Sequence, residues 1–142
     1  MTILLDTNVL MRLSDIDDAK RVLAVEAIDT ARTRGAPLHI VPQTIYEFWT
    51  AATRTRAANG LGLPAGDVLA AIETYVRKFT FLPDTPDVYP HFIDLMRRYE
   101  VAGTNAYDGR LVAAMQTHGL TELMTFNARD FRRYDEVTLI EL

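Results

Sequence analysis

Asp6, Glu47, Asp108 and Asp130, joined by the amide of Asn127, are the residues whose types and places in the chain could do chemistry. Asp6 closes the apolar run Ile3-Leu4-Leu5 and is followed by Thr7 and Asn8. A carboxylate at the mouth of a buried strand costs free energy unless something pairs with it. Converging carboxylates with no histidine or cysteine among them would form an all-oxygen site, which suits Mg²⁺ or Mn²⁺ rather than zinc. Bound ions would reverse the local sign and let the site accept phosphate. Two ions could activate water and stabilise the leaving oxygen of a phosphodiester. Setting the four acids aside moves the formal net charge from −4 to 0, so the acidity is concentrated in them.

Each acid also has a plainer reading. Asp6-Thr7-Asn8 is a helix-start signal, with Thr7 and Asn8 able to cap the helix expected at Val9–Leu13. Glu47 shares a helix face with Thr50 and Arg54, opposite Ile45, Phe48, Trp49 and Ala52, as a solvated glutamate paired with Arg54 would. Asp130 could cap the turn at Phe131, and Asn127 could be a turn residue. Asp108 lies three and four residues before Leu111 and Val112, on the face they bury with Met115. A charge serving only the helix dipole would suit an exposed position better, so Asp108 reads as a ligand.

The elements must bring these groups to one place. Short apolar runs at Thr2–Leu5, Leu38–Val41, Thr80–Leu82, Glu122–Thr125 and Val137–Ile140 predict strands. Between them, helical periodicity predicts helices over Ala19–Arg34, Thr44–Arg56, Ala65–Phe79, Pro86–Val101 and Ala106–His118. Their stripes, such as Leu23, Ala24 and Ile28, or Val68, Leu69, Tyr75 and Val76, mark core or subunit interface. Asn59–Pro64 reads as a connection, its glycines lacking phosphate-loop spacing. Strands alternating with helices imply an α/β fold with a mostly parallel sheet of 4–5 strands. Ligands of such sheets bind beyond the carboxyl ends of the strands, where Asp6, Glu47 and Asn127/Asp130 all fall if the second, first and fourth strands are neighbours.

Composition limits the alternatives. The length suits one domain over residues 1–142 with a sizeable core. The absence of cysteine excludes disulfides, thiolate metal sites and a cysteine nucleophile. His39 falls in a strand, His91 on a helix and His118 at a helix end, and no serine accompanies a histidine and an acid in a triad's order. No signal peptide or membrane-length span is visible, so a cytoplasmic location is the default. A pI near 5.3 argues against nucleic-acid binding by overall charge. Yet 13 of the 15 cationic residues are arginine, whose planar fork suits phosphate, so a polyanion would meet a local patch.

Four segments together resemble the PIN domain, in particular the VapC-type toxins of bacterial toxin–antitoxin pairs: Leu4–Leu10, Tyr46–Trp49, Tyr107–Ala114 and Thr125–Phe131. The resemblance implies an α/β/α sandwich with parallel strand order 3-2-1-4-5 and Mg²⁺- or Mn²⁺-dependent endoribonuclease activity on tRNA, rRNA or mRNA. Its first three acids map onto Asp6, Glu47 and Asp108. At the fourth position stands Asn127 where many relatives have aspartate, so Asn127 and the outer acid Asp130 share that corner. Thr7, Asn8 and Thr125 would be supporting hydrogen-bonders. Arg12, Arg54, Arg56, Arg110, Arg129, Arg132 and Arg133 are candidates to hold RNA phosphates. Gly109 departs from the alanine common in relatives. Such toxins are usually homodimers silenced by a VapB-type antitoxin, and Phe48, Trp49 and the aromatic-rich helices are candidate interfaces. Two other classes remain open: a silent PIN-like module that binds RNA or protein, and a phosphatase with Asp6 as nucleophile. The latter would be expected to carry an acid at position 8, which is Asn8.

Overall fold

The computed structural model describes residues 2–142. The elements run β1 (Ile3–Leu5), α1 (Thr7–Ser14), α2 (Arg21–Thr33), β2 (Leu38–Ile40), α3 (Pro42–Thr53), α4 (Ala65–Lys78), β3 (Thr80–Phe81), α5 (Val88–Tyr99), α6 (Asn105–Thr117), β4 (Glu122–Thr125) and β5 (Thr138–Glu141). The sheet has five strands in the order β3-β2-β1-β4-β5, and every pairing is parallel. The expected fold class and strand order are both observed.

Successive side chains of a strand point to opposite faces, and β1 uses both. Ile3 and Leu5 join Leu38, Ile40 and Met124 in a core with α1–α4, through Val9, Leu10, Ile28, Phe48, Val68 and Tyr75. Leu4 joins Leu123 on the other face, against Leu95, Leu111, Val112 and Met115 of α5 and α6. All three β1 residues are fully buried, as are the two central residues of β4 to within 1%. Each such side chain contributes roughly 1.5–3 kcal/mol over an exposed one. This three-layer packing holds the carboxyl end of β1 fixed. The register Leu5↔Met124 then sets Asp6 beside Thr125, with Asp6 N–H donating to the Met124 carbonyl at 3.0 Å.

Several boundaries move for local reasons. α3 starts at Pro42 rather than Thr44, because the proline's missing N–H costs nothing in a first turn and Thr44 Oγ1 accepts from Val41 N–H at 3.2 Å. It ends at Thr53 rather than Arg56 because the chain doubles back. Leu61, Leu63 and Gly62 N–H donate to the carbonyls of Ala51, Ala52 and Arg54, and Arg56–Ala58 becomes a 3₁₀ turn. The Asn59–Pro64 connection is therefore bonded onto the end of α3. A Cβ on buried Gly60 would stand 2.1 Å from the Arg54 carbonyl oxygen. Gly60→Ala is expected to lower stability by about 3 kcal/mol, seen as a lower urea midpoint.

Some stripe residues are not core. Leu23, Leu69 and Val76 are exposed, because α2 and α4 turn Ala24, Ile28, Ala31, Val68 and Tyr75 inward instead. Phe48, expected as a possible interface residue, is fully buried and meets Tyr75 edge-on at 5.6 Å, so it belongs to the core. Among the described residues no helix is long and apolar enough to cross a membrane.

Candidate active site

The geometry starts from Asp6. Its Oδ1 accepts from Thr7 N–H at 2.7 Å, and its Oδ2 accepts from Thr125 Oγ1 at 2.7 Å and Asn8 Nδ2 at 3.2 Å. This corrects the capping assignment: the cap of α1 is Asp6 itself, while Thr7 and Asn8 lie inside the helix. Asn8 cross-links instead. Its amide also donates to Thr125 Oγ1 at 3.2 Å, and its carbonyl oxygen accepts from Phe126 N–H at 3.1 Å. Thr125 Oγ1 in turn accepts from Asn127 N–H at 2.9 Å. Every hydrogen-bond partner of the Asp6 carboxylate is a donor, so it is locked in position as an acceptor. Burial nevertheless pushes its pKa up; the bonds from Thr125, Thr7 and Asn8 oppose this, and the charge of Asp130 adds to it.

The other three acids gather near it. Asp108, half-buried in the first turn of α6, has its pKa pushed up to about 6, first by burial and then by Asp6, Asp130 and Glu47; Arg133 offsets part of this. Helical phase alone would not have isolated Asp108, because α6 buries Gly109 and every residue from Leu111 to Met115. Glu47 is exposed as a whole residue, but protein packed about its carboxylate raises its pKa. Gln43 opposes that rise, Asp6 reinforces it and Arg110 opposes it. The expected Glu47–Arg54 ion pair is absent among the described residues. Asp130 is exposed on the 3₁₀ turn Ala128–Phe131 and does not cap it with its side chain. At the doubtful fourth corner, Asp130 is thus the group whose charge reaches Asp6 and Asp108. Asn127 is also exposed, on a 390 Å³ cavity shared with Arg129, Asp130 and Arg132.

The arginines divide by their partners. Arg12 is held by Asp18 at 2.6 Å and lies over the Phe126 ring, and Arg56 pairs with Asp15 at 3.2 Å. Arg132 pairs with Glu141. Arg110 donates to Asp84 and to Gln43 Oε1, both at 2.9 Å. Arg129 is exposed and has no ion-pair partner among the described residues. Gln43 was not anticipated. It is buried, four residues before Glu47 on the same face, and its Nε2 donates to the Tyr107 carbonyl at 2.7 Å, tying α3 to α6 across the site. The helix expected from Thr44 left Gln43 outside it; the one sequence signal was Pro42, which starts the helix and puts Gln43 in its first turn.

Gly109 marks how closely α6 is packed. A Cβ there would come within 2.2 Å of Met96 Cε and 3.0 Å of the Tyr134 hydroxyl, which has no hydrogen-bond partner. The glycine admits the flexible end of Met96 where an alanine would displace it.

The donor set fits a hard divalent cation: four carboxylates and an amide, with burial and then neighbouring acid charge raising the pKa of both Asp6 and Asp108. Among the described residues no three carboxylates or histidines converge closely enough to surround one ion. Mg²⁺ commonly takes only one or two carboxylates and keeps several waters, so a pair of these acids suffices.

A parallel α/β/α sheet with Asp6 at the carboxyl end of its central strand, within range of the charges of Glu47, Asp108 and Asp130, defines the class of molecule. The PIN-domain family model matches residues 3–137, and the chain belongs to that family. Solved structures share the fold. VapBC2 from Rickettsia felis, bound to a promoter DNA fragment, superposes with a TM-score of 0.77 at 11% identity over 100% of this chain and 99% of that one. A toxin–antitoxin complex from Klebsiella pneumoniae gives 0.66 at 22% identity, covering 99% of each chain. VapC20 from Mycobacterium tuberculosis, a sarcin–ricin-loop-cleaving toxin, gives 0.58 at 18%, covering 85% and 86%. No curated protein matches the sequence significantly.

Proposed function

We propose that this chain, as one domain over residues 1–142, is a metal-dependent endoribonuclease and the toxin of a toxin–antitoxin pair. The observation that carries the reading is the gathering of Asp6, Glu47 and Asp130 about Asp108, whose pKa is pushed up to about 6 first by burial and then by those three charges. Uncompensated acids held together by a rigid fold favour a cation, and a cation among them favours phosphate.

Asp6 and Asp108 are the principal ligands for Mg²⁺ or Mn²⁺, with Asn127 and Asp130 at the outer corner. Bound there, the ion supplies an activated water and charge stabilisation for phosphodiester hydrolysis. Thr7, Asn8 and Thr125 aim Asp6 and prevent its rotation. Glu47 sits across from Asp6, with a raised pKa suited to receiving a proton from water. Arg129, like Arg54 and Arg133, has no ion-pair partner among the described residues and is available to an RNA phosphate; Arg12 and Arg110 would first have to leave Asp18 and Asp84. Pairing with a VapB-type antitoxin is supported by the toxin–antitoxin assemblies among the structural neighbours; a homodimer in the cytoplasm completes the proposed setting.

Purified protein incubated with tRNA and rRNA is expected to cut at discrete sites with Mg²⁺ or Mn²⁺, to stop with EDTA, and to resume when metal is restored. Binding of RNA without cutting under every metal condition would instead mark a silent binding module.

A further inference from the structure

A 710 Å³ cavity opens between α3 and α6, lined by Thr7, Gln43, Tyr46, Glu47, Arg54, Tyr107 and Arg110 among others. Three features separate it from an ordinary surface hollow. Tyr46 and Tyr107, one from each helix, are 65% and 64% exposed, and among the described residues neither ring stacks on another aromatic. The residue forming part of its wall next to Asp6, Thr7, is nine-tenths buried, and its hydroxyl has no hydrogen-bond partner. Gln43 fixes the mouth by holding the Tyr107 carbonyl with one end of its amide and Arg110 with the other. Part-buried hydrogen bonds of Gln43 thus tie together the two helices that carry the tyrosines.

We propose that this cavity seats an unpaired RNA base next to the phosphodiester that is cut, with the base stacked on Tyr46 and Tyr107. Glu47 is in its wall and Thr7 follows Asp6 directly, so a base in the cavity adjoins the acids. Arg110 is held by Asp84, so exposed Arg54, which has no ion-pair partner among the described residues, is the lining cation that suits the flanking phosphate. Base faces stack on exposed aromatic rings whatever the sequence, and only bases splayed out of a helix present those faces. A duplex offers none, so the cavity selects loops, bulges or single strands. This inference rests on the ribonuclease reading and adds the substrate's conformation to it.

The test uses the full chain in EDTA with a ten-nucleotide single-stranded RNA carrying 2-aminopurine, followed by fluorescence, and then cleavage kinetics with Mg²⁺. Tyr46→Ala and Tyr107→Ala are each expected to weaken binding about tenfold and to raise KM more than they lower kcat. Tyr46→Phe and Tyr107→Phe keep the ring and should stay near wild type. The same sequence as a duplex should bind more weakly than the single strand. Alanine variants that bind and cut like the wild type would overturn the proposal. So would variants that turn a dimer into a monomer in sedimentation with RNA affinity unchanged, which would make this face a contact between copies. If wild-type protein neither binds nor cuts any RNA, the nuclease reading falls and takes the base seat with it; if it cuts RNA but the alanine variants are unaffected, only the seat falls.

Discussion

Asp6→Asn is expected to reduce Mg²⁺-dependent RNA cleavage by about 10³-fold or more, since losing a principal metal ligand removes several kcal/mol of transition-state stabilisation. Its cost to stability distinguishes this variant from the other acid substitutions. The Asp6 carboxylate meets three donors: Thr7 N–H, Thr125 Oγ1 and Asn8 Nδ2. An asparagine offers one acceptor oxygen and turns its NH₂ toward at least one of them. Thr125 cannot easily reverse its role, because its oxygen already accepts from Asn8 and from Asn127 N–H. A buried donor is left unpaired, at a cost of about 1–3 kcal/mol. Against that, removing a charge whose pKa burial has raised returns part of the cost. The expected net result is a modest fall in Tm together with loss of cleavage and loss of growth arrest on expression. A variant that folds and still cuts at the wild-type rate would exclude Asp6 as a ligand.

This balance shows why the start of α1 was ambiguous as sequence and is not as structure. Helix capping and catalytic positioning looked like competing roles for Asp6-Thr7-Asn8. They turn out to be divided between the two oxygens of one side chain: Oδ1 caps through Thr7 N–H, and Oδ2 anchors the network that runs through Asn8 and Thr125 to Phe126 and Asn127. The second half depends on β4 lying beside β1, a pairing of residues about 120 positions apart. No local pattern encodes that pairing, although parallel alternation and the resemblance to PIN domains implied it.

Glu47 shows the opposite case. Its phase on α3, opposite Phe48 and Ala52, was read correctly as facing away from the helix's own core. That phase reports packing against one layer only. The cleft between α3 and α6 is a second surrounding, made by Gln43, Tyr107 and Arg110, and periodicity within one helix is blind to it. Gln43, Tyr46 and Tyr107 were underweighted for the same reason, since their roles exist only between helices. Asp108 was picked out on a stripe that α6, buried nearly all round, does not have. Asp108 feels the charges of Asp6, Asp130 and Glu47 because it stands in the first turn of α6, not because it lies on an apolar stripe. The strands were legible because β1 and β4 are short, apolar and fully enclosed.

Asp108→Asn should abolish cleavage as Asp6→Asn does, but with the opposite effect on the metal-free fold. The pKa of Asp108 is about 6 in the folded chain, pushed up by burial and then by Asp6, Asp130 and Glu47, against 3.8 as the ordinary value. Between those two values the folded state holds more protons than the unfolded one, so stability falls as pH rises through that window. At pH 7 the charged Asp108 is therefore a destabilising group, and a neutral asparagine of the same shape relieves it. The full shift would correspond to about 3 kcal/mol. Because Asp108 is only half-buried, solvent screening reduces this to about 1–2 kcal/mol. The gain should be complete above pH 6 and vanish below about pH 4, where the wild-type carboxyl is itself protonated. Adding Mg²⁺ should narrow or reverse the difference, because a ligand that binds only the folded state stabilises it by mass action, and the variant has lost a binding group. Urea denaturation of both proteins at pH 4, 5, 6 and 7.5, with EDTA or with Mg²⁺, measures all of this. Equal stability at pH 7.5 in EDTA would mean that Asp108 is not under strain from its acidic neighbours. A stability advantage unaffected by Mg²⁺ would mean that the strain is not relieved by a cation at this site.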